Sequence, residues 1–182
     1  MSIAVLVSHP DIAHSLTHRQ LLAALQALPD LRVRHLEADY PDGRIDVEAE
    51  QAWWATVDTL VLQFPFYWFA TPPLLKAWLD AVLSFGWAYG PRMALRGKSL
   101  RAVISCGGSE DKYRPGGHNL YPVTELRKPL ETTAHFVGMR WLPPLALYGV
   151  PNVPGIPVPG DYDQQLAAFI ERYRQMLHGE TP

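Results

Sequence analysis

Short, continuous apolar runs that alternate with helical patterns are the feature that most constrains the fold of this chain. The runs Ile3–Val7, 59–63 and 100–105 contain few polar residues, which is typical of parallel strands covered on both faces. Weaker strands are predicted over residues 31–36, at an edge, and over 141–148. Five strands separated by helices favour an α/β fold with a doubly wound, five-stranded parallel sheet in the order 2-1-3-4-5.

The helices between these strands are predicted from apolar spacing and from their capping residues. Ser15 is placed as the N-cap of the first helix, and a proline pair ending at Pro73 opens the helix after the third strand. Pro129 either opens or kinks a helix over residues 125–137. The Pro- and Gly-rich residues 151–160 are expected to form an ordered surface connection to the last helix.

Composition and length indicate one domain, residues 1–182, and exclude several classes of protein. The chain carries 16 Lys and Arg against 18 Asp and Glu, a net charge of −2, which excludes a generally basic nucleic-acid-binding protein. A single cysteine, Cys106, excludes a disulfide framework and fits a reducing compartment. Because neither a signal peptide nor an apolar stretch of membrane-spanning length is found, the chain is expected to be cytoplasmic.

In a sheet of this order, the flavodoxin-like arrangement, ligands bind beyond the carboxyl ends of the strands, at the switch point between strands 1 and 3. The loop after strand 1 brings His9, His14 and Ser15 to the start of a helix, where unpaired backbone N–H groups favour an anion such as phosphate. An equal alternative is that Ser15 only caps the helix and His14 is solvated. The loop contains neither the dinucleotide glycine fingerprint nor a nucleoside-triphosphate P-loop.

The loop after strand 3 is strongly aromatic, with Phe64, Phe66, Tyr67, Trp68 and Phe69 inside six residues. Such a wall suits a planar aromatic ligand, because nearby backbone amides can bind the polar atoms of its rings. The alternative is a hydrophobic dimer interface, and both interpretations hold if the ligand lies between subunits.

The loop after strand 4 contains two glycine pairs, the first at Gly107-Gly108, which allow the backbone to approach a ligand closely. Tyr113, Arg114 and His118 lie between or just after these pairs, and all three side chains can donate hydrogen bonds. Tyr113 or His118, taken singly, would be an ordinary polar residue of an exposed loop, but their place on a switch-point loop favours a functional role.

The stretch from Gln63 to Asp80 resembles the Q-F-P-x-x-W-F-x-x-P-x-x-L-K-x-W-x-D/E signature of the NAD(P)H:quinone oxidoreductase (DT-diaphorase) flavoproteins. A closer resemblance, over essentially the whole chain, is to the ancillary flavoproteins of glutathione-regulated potassium-efflux (Kef) systems. It is carried by Tyr40-Pro41-Asp42, Gly86-Trp87-Ala88-Tyr89-Gly90 and Trp141-Leu142-Pro143-Pro144. The resemblance implies a flavodoxin-like homodimer that binds FMN, less favourably FAD, and uses NAD(P)H to reduce a quinone-type acceptor.

The resemblance also implies roles for particular residues. The flavin phosphate would be held by His9, Ser15, Thr17 and His18, although this family often has Asn where His18 stands. The isoalloxazine ring would be lined by Pro65, Phe66, Tyr67, Trp68 and Phe69. The edge of the ring would be completed by Ser105, Gly107 and Gly108. Hydride transfer would be assisted by Tyr113 and His118.

The residues also bear on other classes of function. A regulatory subunit docked on the inner face of the cell membrane, on a potassium/proton antiporter, would use the flavin as a structural or sensory group. A hydrolase is disfavoured because Gly108-Ser109 does not complete the G-x-S-x-G motif. Cys106 is favoured as a buried small residue over a thiol nucleophile. No metal is expected, because His14 and His18 lack the Glu partner of a zinc helix.

Overall fold

The computed structural model describes residues 2–151, 158 and 160–179. The strands are β1 Ile3–Val7, β2 Arg32–His35, β3 Thr59–Pro65, β4 Ser99–Ser105, β5 Arg140–Trp141 and β6 Leu145–Leu147. The helices are α1 Leu16–Gln26, α2 Leu36–Asp39, α3 Val47–Ala55, α4 Pro73–Val82, α5 Val123–Leu126, α6 Lys128–Phe136 and α7 Tyr162–Leu177. Short 3-10 turns are formed by Ile12–His14 and Glu110–Lys112.

The strands form one parallel sheet in the order β2-β1-β3-β4, and both β5 and β6 pair with β4. This confirms the predicted flavodoxin-like order and the edge position of β2. The predicted fifth strand is two short strands, because Pro143 and Pro144 stand between them and cannot donate a ladder hydrogen bond. The sheet therefore has six strands in five positions.

Two hydrophobic cores cover the two faces of the sheet, because successive side chains of a strand point to opposite faces. Ala4 and Leu6 of β1 belong to the core beneath α3, α4, α5 and α6, while Val5 and Val7 belong to the core beneath α1 and α7. In the first core, the rings of Trp54 on α3 and Trp78 on α4 stack with centroids 5.1 Å apart. This double covering explains the continuous apolar runs of the central strands.

The helices differ from the sequence prediction at two places. The segment predicted as strand to residue 36 turns into the single-turn helix α2 after His35. The helix predicted over 125–137 is two helices that meet at Arg127, with Pro129 in the first turn of α6. Of the predicted connection over 151–160, residues 152–157 and 159 lie outside the described residues. Within the described part of the chain, no helix has both the length and the apolarity needed to cross a membrane.

Candidate functional site

The loops that follow β1, β3 and β4 are hydrogen-bonded to one another at the carboxyl edge of the sheet. The hydroxyl of Ser105, at the end of β4, lies 2.8 Å from Nε2 of His18 on α1. The carbonyl oxygen of Ser105 accepts a hydrogen bond of 2.9 Å from the backbone N–H of Phe66. The N–H of Ser8 donates to the carbonyl of Gln63 over 2.9 Å. Ser105 therefore joins the end of β4 to α1 and to the loop after β3, at the edge where the topology predicts the site.

The start of α1 offers unpaired backbone donors at this edge. The Ser15 hydroxyl accepts a 3.1 Å hydrogen bond from the N–H of His18, which confirms Ser15 as the N-cap. Among the described residues, no acceptor is bonded to the N–H groups of Leu16 and Thr17. Because these groups stand at the positive end of an 11-residue helix, the position suits an anion.

The side chains of Thr17 and His18 are buried rather than presented at the surface of this edge. The Thr17 hydroxyl is hydrogen-bonded to the hydroxyl of Tyr162 on α7. Burial, and then the nearby His9 imidazole, lowers the pKa of His18 to about 3, so the ring is neutral at physiological pH. The Nδ1 atom of His18 is buried and has no hydrogen-bond partner among the described residues. The resemblance implies that both residues hold the flavin phosphate, and in the structure their side chains join α1 to α7 and to β4.

His9 lies half-buried against His18, with the two ring centroids 4.7 Å apart. Its Nδ1 accepts a 3.1 Å hydrogen bond from the N–H of Asp11, which assigns the proton of the neutral ring to Nε2. Burial lowers the pKa of His9 and thereby favours this neutral form. His14 is exposed and pairs with the Asp11 carboxylate at 2.8 Å. His9 is thus a polar N–H donor beside the start of α1, while His14 is a surface residue.

The aromatic loop is a two-residue hairpin with aromatic side chains at its tip. Tyr67 and Ala70 exchange two backbone hydrogen bonds of 3.0 Å, and Trp68 and Phe69 between them have φ values of 47° and 64°. A two-residue hairpin turn of type I′ needs positive φ at both central residues, a conformation that normally selects Asn and Gly. Trp68 is 92% exposed as a result. Strained residues of this kind are found where a ligand or partner uses them.

The β4 loop brings its glycines and Tyr113 together. A Cβ atom on Gly108 would lie 3.1 Å from the Tyr113 ring and 3.1 Å from Nδ2 of Asn119, so a side chain there would displace both. Tyr113 is buried, and burial followed by the neighbouring Cys106 raises its pKa to about 12. Its phenol is therefore a protonated donor at neutral pH, packed 5.6 Å from the ring of Tyr148.

His118 stands apart from Tyr113 on the same loop. Its side chain is exposed, and within the described residues neither a hydrogen bond nor a ring contact joins the two.

Cys106 is completely buried, and burial raises the pKa of its thiol to about 12. A thiol so protonated is a poor nucleophile, which agrees with its interpretation as a buried small residue. In the described ranges no three His, Cys, Asp or Glu residues are grouped as metal ligands require.

Two features of the site were missed by sequence reasoning. The Gln63 side chain is fully buried at the end of β3, and neither of its amide atoms has a hydrogen-bond partner among the described residues. An apolar cavity of about 600 Å³ also opens beside the aromatic loop, between α4 and α6. Its wall includes Phe66, Phe69, Leu79, Tyr89, Leu130 and Phe136. Its sequence signals are the aromatic loop and the apolar faces of α4 and α6.

Comparison with known proteins gives the same fold. A family model described as flavodoxin-like fold, Flavodoxin_2, matches residues 1–177. The chain is 41% identical over 174 residues to the uncharacterized NAD(P)H oxidoreductase YdeQ of Bacillus subtilis, covering 95% of this chain and 84% of that protein. It is also 41% identical over 176 residues to the glutathione-regulated potassium-efflux system ancillary protein KefF of Klebsiella aerogenes, covering 96% and 94%.

Two solved structures are similar along almost the whole chain. General stress protein 14 of Treponema denticola, in complex with FMN, has a TM-score of 0.89 and 35% identity over 98% of this chain and 99% of that one. An NADPH-quinone reductase of P. pentosaceus has a TM-score of 0.80 and 31% identity over 95% and 97%. Fold, sequence and family model agree, and the chain therefore belongs to the Flavodoxin_2 family, which includes NAD(P)H oxidoreductases.

Proposed function

We propose that this chain is an FMN-dependent NAD(P)H:quinone oxidoreductase. The observation that carries the proposal is the pair of hydrogen bonds at Ser105, which joins α1 to the aromatic loop and so holds a helix start suited to an anion and an aromatic hairpin at one edge of the sheet. FMN has a phosphate at one end and a planar ring system at the other, so it matches both. The names of YdeQ, of the FMN complex and of the NADPH-quinone reductase support the same function.

The donors of the site fit FMN, and we assign its contacts accordingly. The phosphate would be held by the N–H groups at the start of α1, that of Thr17 included, with contributions from His9, from Ser15 and from the Nδ1 atom of His18. The buried His18 Nδ1 and Gln63 amide atoms have no partner within the described ranges, and this supports a polar ligand at this edge. The ring would lie against Pro65, Phe66, Tyr67, Trp68 and Phe69. Its polar edge would face Ser105, Gly107 and Gly108.

Bound FMN would supply a centre that takes a hydride from NAD(P)H and delivers it to the quinone. The protein has to orient both partners and to place donors where negative charge develops. Tyr113 is proposed as such a donor, because its phenol stays protonated at neutral pH and lies against Gly108. His118 is proposed in support, from the exposed part of the same loop. Because NAD(P)⁺ must leave before the quinone enters, ping-pong kinetics are expected.

A homodimer is part of the proposal. Large apolar side chains are exposed around the aromatic loop and the cavity beside it, namely Tyr67, Trp68, Phe69, Phe85 and Phe136. Monomeric proteins seldom expose large contiguous apolar patches, and a second copy of the chain would cover these side chains. The interface is expected to include Tyr67–Phe69 and the β4 loop. Light scattering of the flavin-bound protein should give a dimer mass, and a stable monomer would contradict this part.

The similarity to KefF supports a second candidate function. In it, the chain is an ancillary regulator on the inner face of a membrane, bound to a potassium/proton antiporter, and the flavin is structural or sensory. Potassium efflux measured in cells with and without this chain separates the candidates. The decisive variant binds flavin but cannot reduce quinone. If that variant still restores potassium efflux, the regulatory function is favoured over the catalytic one.

The visible spectrum of the purified protein tests the proposal directly. Absorption bands at about 370 and about 450 nm are expected, since they belong to the oxidised flavin itself. They should bleach on addition of NADH or NADPH and return when a quinone is added. Identification of the flavin released on denaturation separates FMN from FAD. A colourless protein with no measurable affinity for either flavin would overturn the proposal.

A further inference from the structure

A carboxylate outside the three site loops holds the first of them in place. Glu37 lies in α2, immediately after the edge strand β2. Its Oε1 accepts a 2.7 Å hydrogen bond from the Ser8 hydroxyl, and its Oε2 accepts a 2.9 Å hydrogen bond from the backbone N–H of His9. Both oxygens are thus bonded to the residues that begin the β1 loop.

The Glu37 carboxylate is ionised and partly balanced by an imidazole. Burial opposes ionisation, but hydrogen bonds from His35, Ser8 and the His9 backbone outweigh it and lower the pKa of Glu37. The Nε2 atom of His35 lies 3.3 Å from the carboxylate and 3.3 Å from the carbonyl oxygen of His9. Hydrogen bonds to an ionised acceptor are stronger than neutral ones, so the Ser8–His9 backbone is firmly held.

Contacts run without a break from Glu37 to the proposed phosphate position. Glu37 holds the His9 backbone, the His9 ring packs on the His18 ring, and His18 bonds to Ser105. Ser8 is fully buried, so loss of the carboxylate would leave its hydroxyl without an acceptor. His9 would then lose the anchor that keeps it beside the start of α1.

We propose that Glu37 is a positioning residue for the phosphate of FMN, acting through Ser8 and His9. This inference rests on the proposed function, because it assumes that FMN binds at the start of α1. A negative charge near a phosphate would by itself weaken binding. Placement of Ser8 and His9 by Glu37 therefore has to outweigh the repulsion between its carboxylate and the phosphate. The consequence is specific to the phosphate, and a flavin without one should not depend on Glu37.

The test compares FMN with riboflavin, which has the same ring system and no phosphate. Dissociation constants are measured by quenching of flavin fluorescence for the wild type, Glu37→Leu and Glu37→Gln, with melting temperatures recorded in parallel. The exposed Glu171 on α7 supplies the matched control, Glu171→Leu. Glu37→Leu should weaken FMN binding about tenfold, the size of one charge-assisted hydrogen bond, and leave riboflavin binding unchanged.

Glu37→Gln keeps one carbonyl acceptor for the His9 N–H and should recover FMN affinity to within about threefold of the wild type. Three results would overturn the proposal: unchanged FMN affinity in Glu37→Leu, tighter FMN binding in either variant, or equal losses of FMN and riboflavin affinity. The last would make Glu37 a general structural residue. A wild type that binds neither flavin would instead overturn the proposed function, and this inference with it.

Discussion

The β1 loop and the β3 loop form opposite kinds of surface at the same edge of the sheet. The β1 loop is polar and is held by side chains, since Ser8 and His9 bond to Glu37 and Ser15 caps α1. The aromatic β3 loop is held by two backbone hydrogen bonds between Tyr67 and Ala70, and its tip residues project into solvent. One loop is fixed before any ligand arrives, and the other presents exposed rings.

This difference indicates that the β1 loop suits an anion and the aromatic loop suits a planar ring. An anion needs donors at fixed positions, and a network of buried hydrogen bonds provides them at little cost on binding. A planar ring needs contact area more than direction, so exposed aromatic side chains are sufficient. The strain in the hairpin, about 1–2 kcal/mol for each non-Gly residue in the left-handed region, is stored where the rings are exposed.

The largest effect is expected from acid, which should destabilise the polar side of the site at His18 on α1. The pKa of His18 is lowered from 6.5 to about 3, so the unfolded chain binds a proton at higher pH than the folded one. The free energy of unfolding therefore does not depend on the protonation of His18 above pH 6.5, and it declines as the pH falls from 6.5 towards 3. In that interval the folding equilibrium constant should drop by about tenfold per pH unit, because one proton is taken up on unfolding.

Chemical denaturation between pH 7 and pH 4 measures this slope. His18→Gln should show a shallower decline than the wild type, since Gln does not titrate, and His14→Gln at an exposed position serves as the control. Equal slopes in the wild type and His18→Gln would mean that His18 does not control acid stability.

A charge placed at the start of α1 should separate phosphate recognition from ring recognition. Asp is as good an N-cap as Ser, so Ser15→Asp should leave the fold intact. The added carboxylate would repel the phosphate at short range, and FMN affinity should fall by about 100-fold or more. Riboflavin affinity should stay the same, and Ser15→Thr should behave as the wild type. If Ser15→Asp bound FMN normally, the phosphate would have to lie elsewhere.

Tyr113→Phe tests whether hydride transfer is assisted from the β4 loop rather than from the β1 or the β3 loop. The variant should retain FMN, because the helix start and the aromatic hairpin are unchanged. Loss of one donor to developing charge costs roughly 100-fold in rate, and flavin reduction by NAD(P)H in stopped-flow experiments should slow accordingly. Tyr121→Phe, at an exposed position on the same loop, is the control.

His118→Ala should have a smaller effect than Tyr113→Phe, because His118 is exposed. If both variants reduced flavin at the wild-type rate, these residues would only be part of the loop structure. Loss of flavin from either variant would assign it to binding, and its proposed catalytic role would be withdrawn.

The sequence predicted the sheet order because each central strand is buried on both faces and therefore reads as a continuous apolar run. It predicted the Ser15 cap because the signal is local, a hydroxyl one residue before a helical pattern. It did not predict that Thr17 and His18 face inward, since that depends on Tyr162 and Ser105, which are far away in the sequence. It also missed Glu37, whose partners Ser8 and His9 follow β1 and are brought close only by the pairing of β1 with β2.

The hairpin at Trp68 and Phe69 escaped prediction for a different reason. Turn signals in a sequence are Gly, Asn, Asp and Pro, and here two aromatic residues occupy positions with positive φ. Local propensity argues against the observed conformation, so only the surrounding structure can impose it. The break between α5 and α6 at Arg127 was also not predicted. Pro129 fits both the first turn of a helix and a kink within one, so the sequence alone did not choose between them.

The aromatic side of the comparison is tested by Trp68→Asn, for which the smallest effect is expected. Asn tolerates positive φ, so it preserves the turn while removing the indole. The free energy of unfolding should therefore be unchanged or rise by about 1 kcal/mol. Loss of one aromatic contact is worth about 0.5–1.5 kcal/mol, so the affinities for FMN and for riboflavin should both fall by about twofold to tenfold.

Equal losses for the two flavins are the point of this experiment, because the aromatic loop is proposed to contact the ring and not the phosphate. Fluorescence titrations with both ligands, and thermal melts of the apoprotein, give the three quantities needed. Val158→Asn, another exposed apolar position, controls for a general loss of apolar surface. A loss confined to FMN would mean that Trp68 acts on the phosphate end, and the division between a polar loop and an aromatic loop would be wrong. A drop in stability would show that the indole itself holds the turn, despite its 92% exposure.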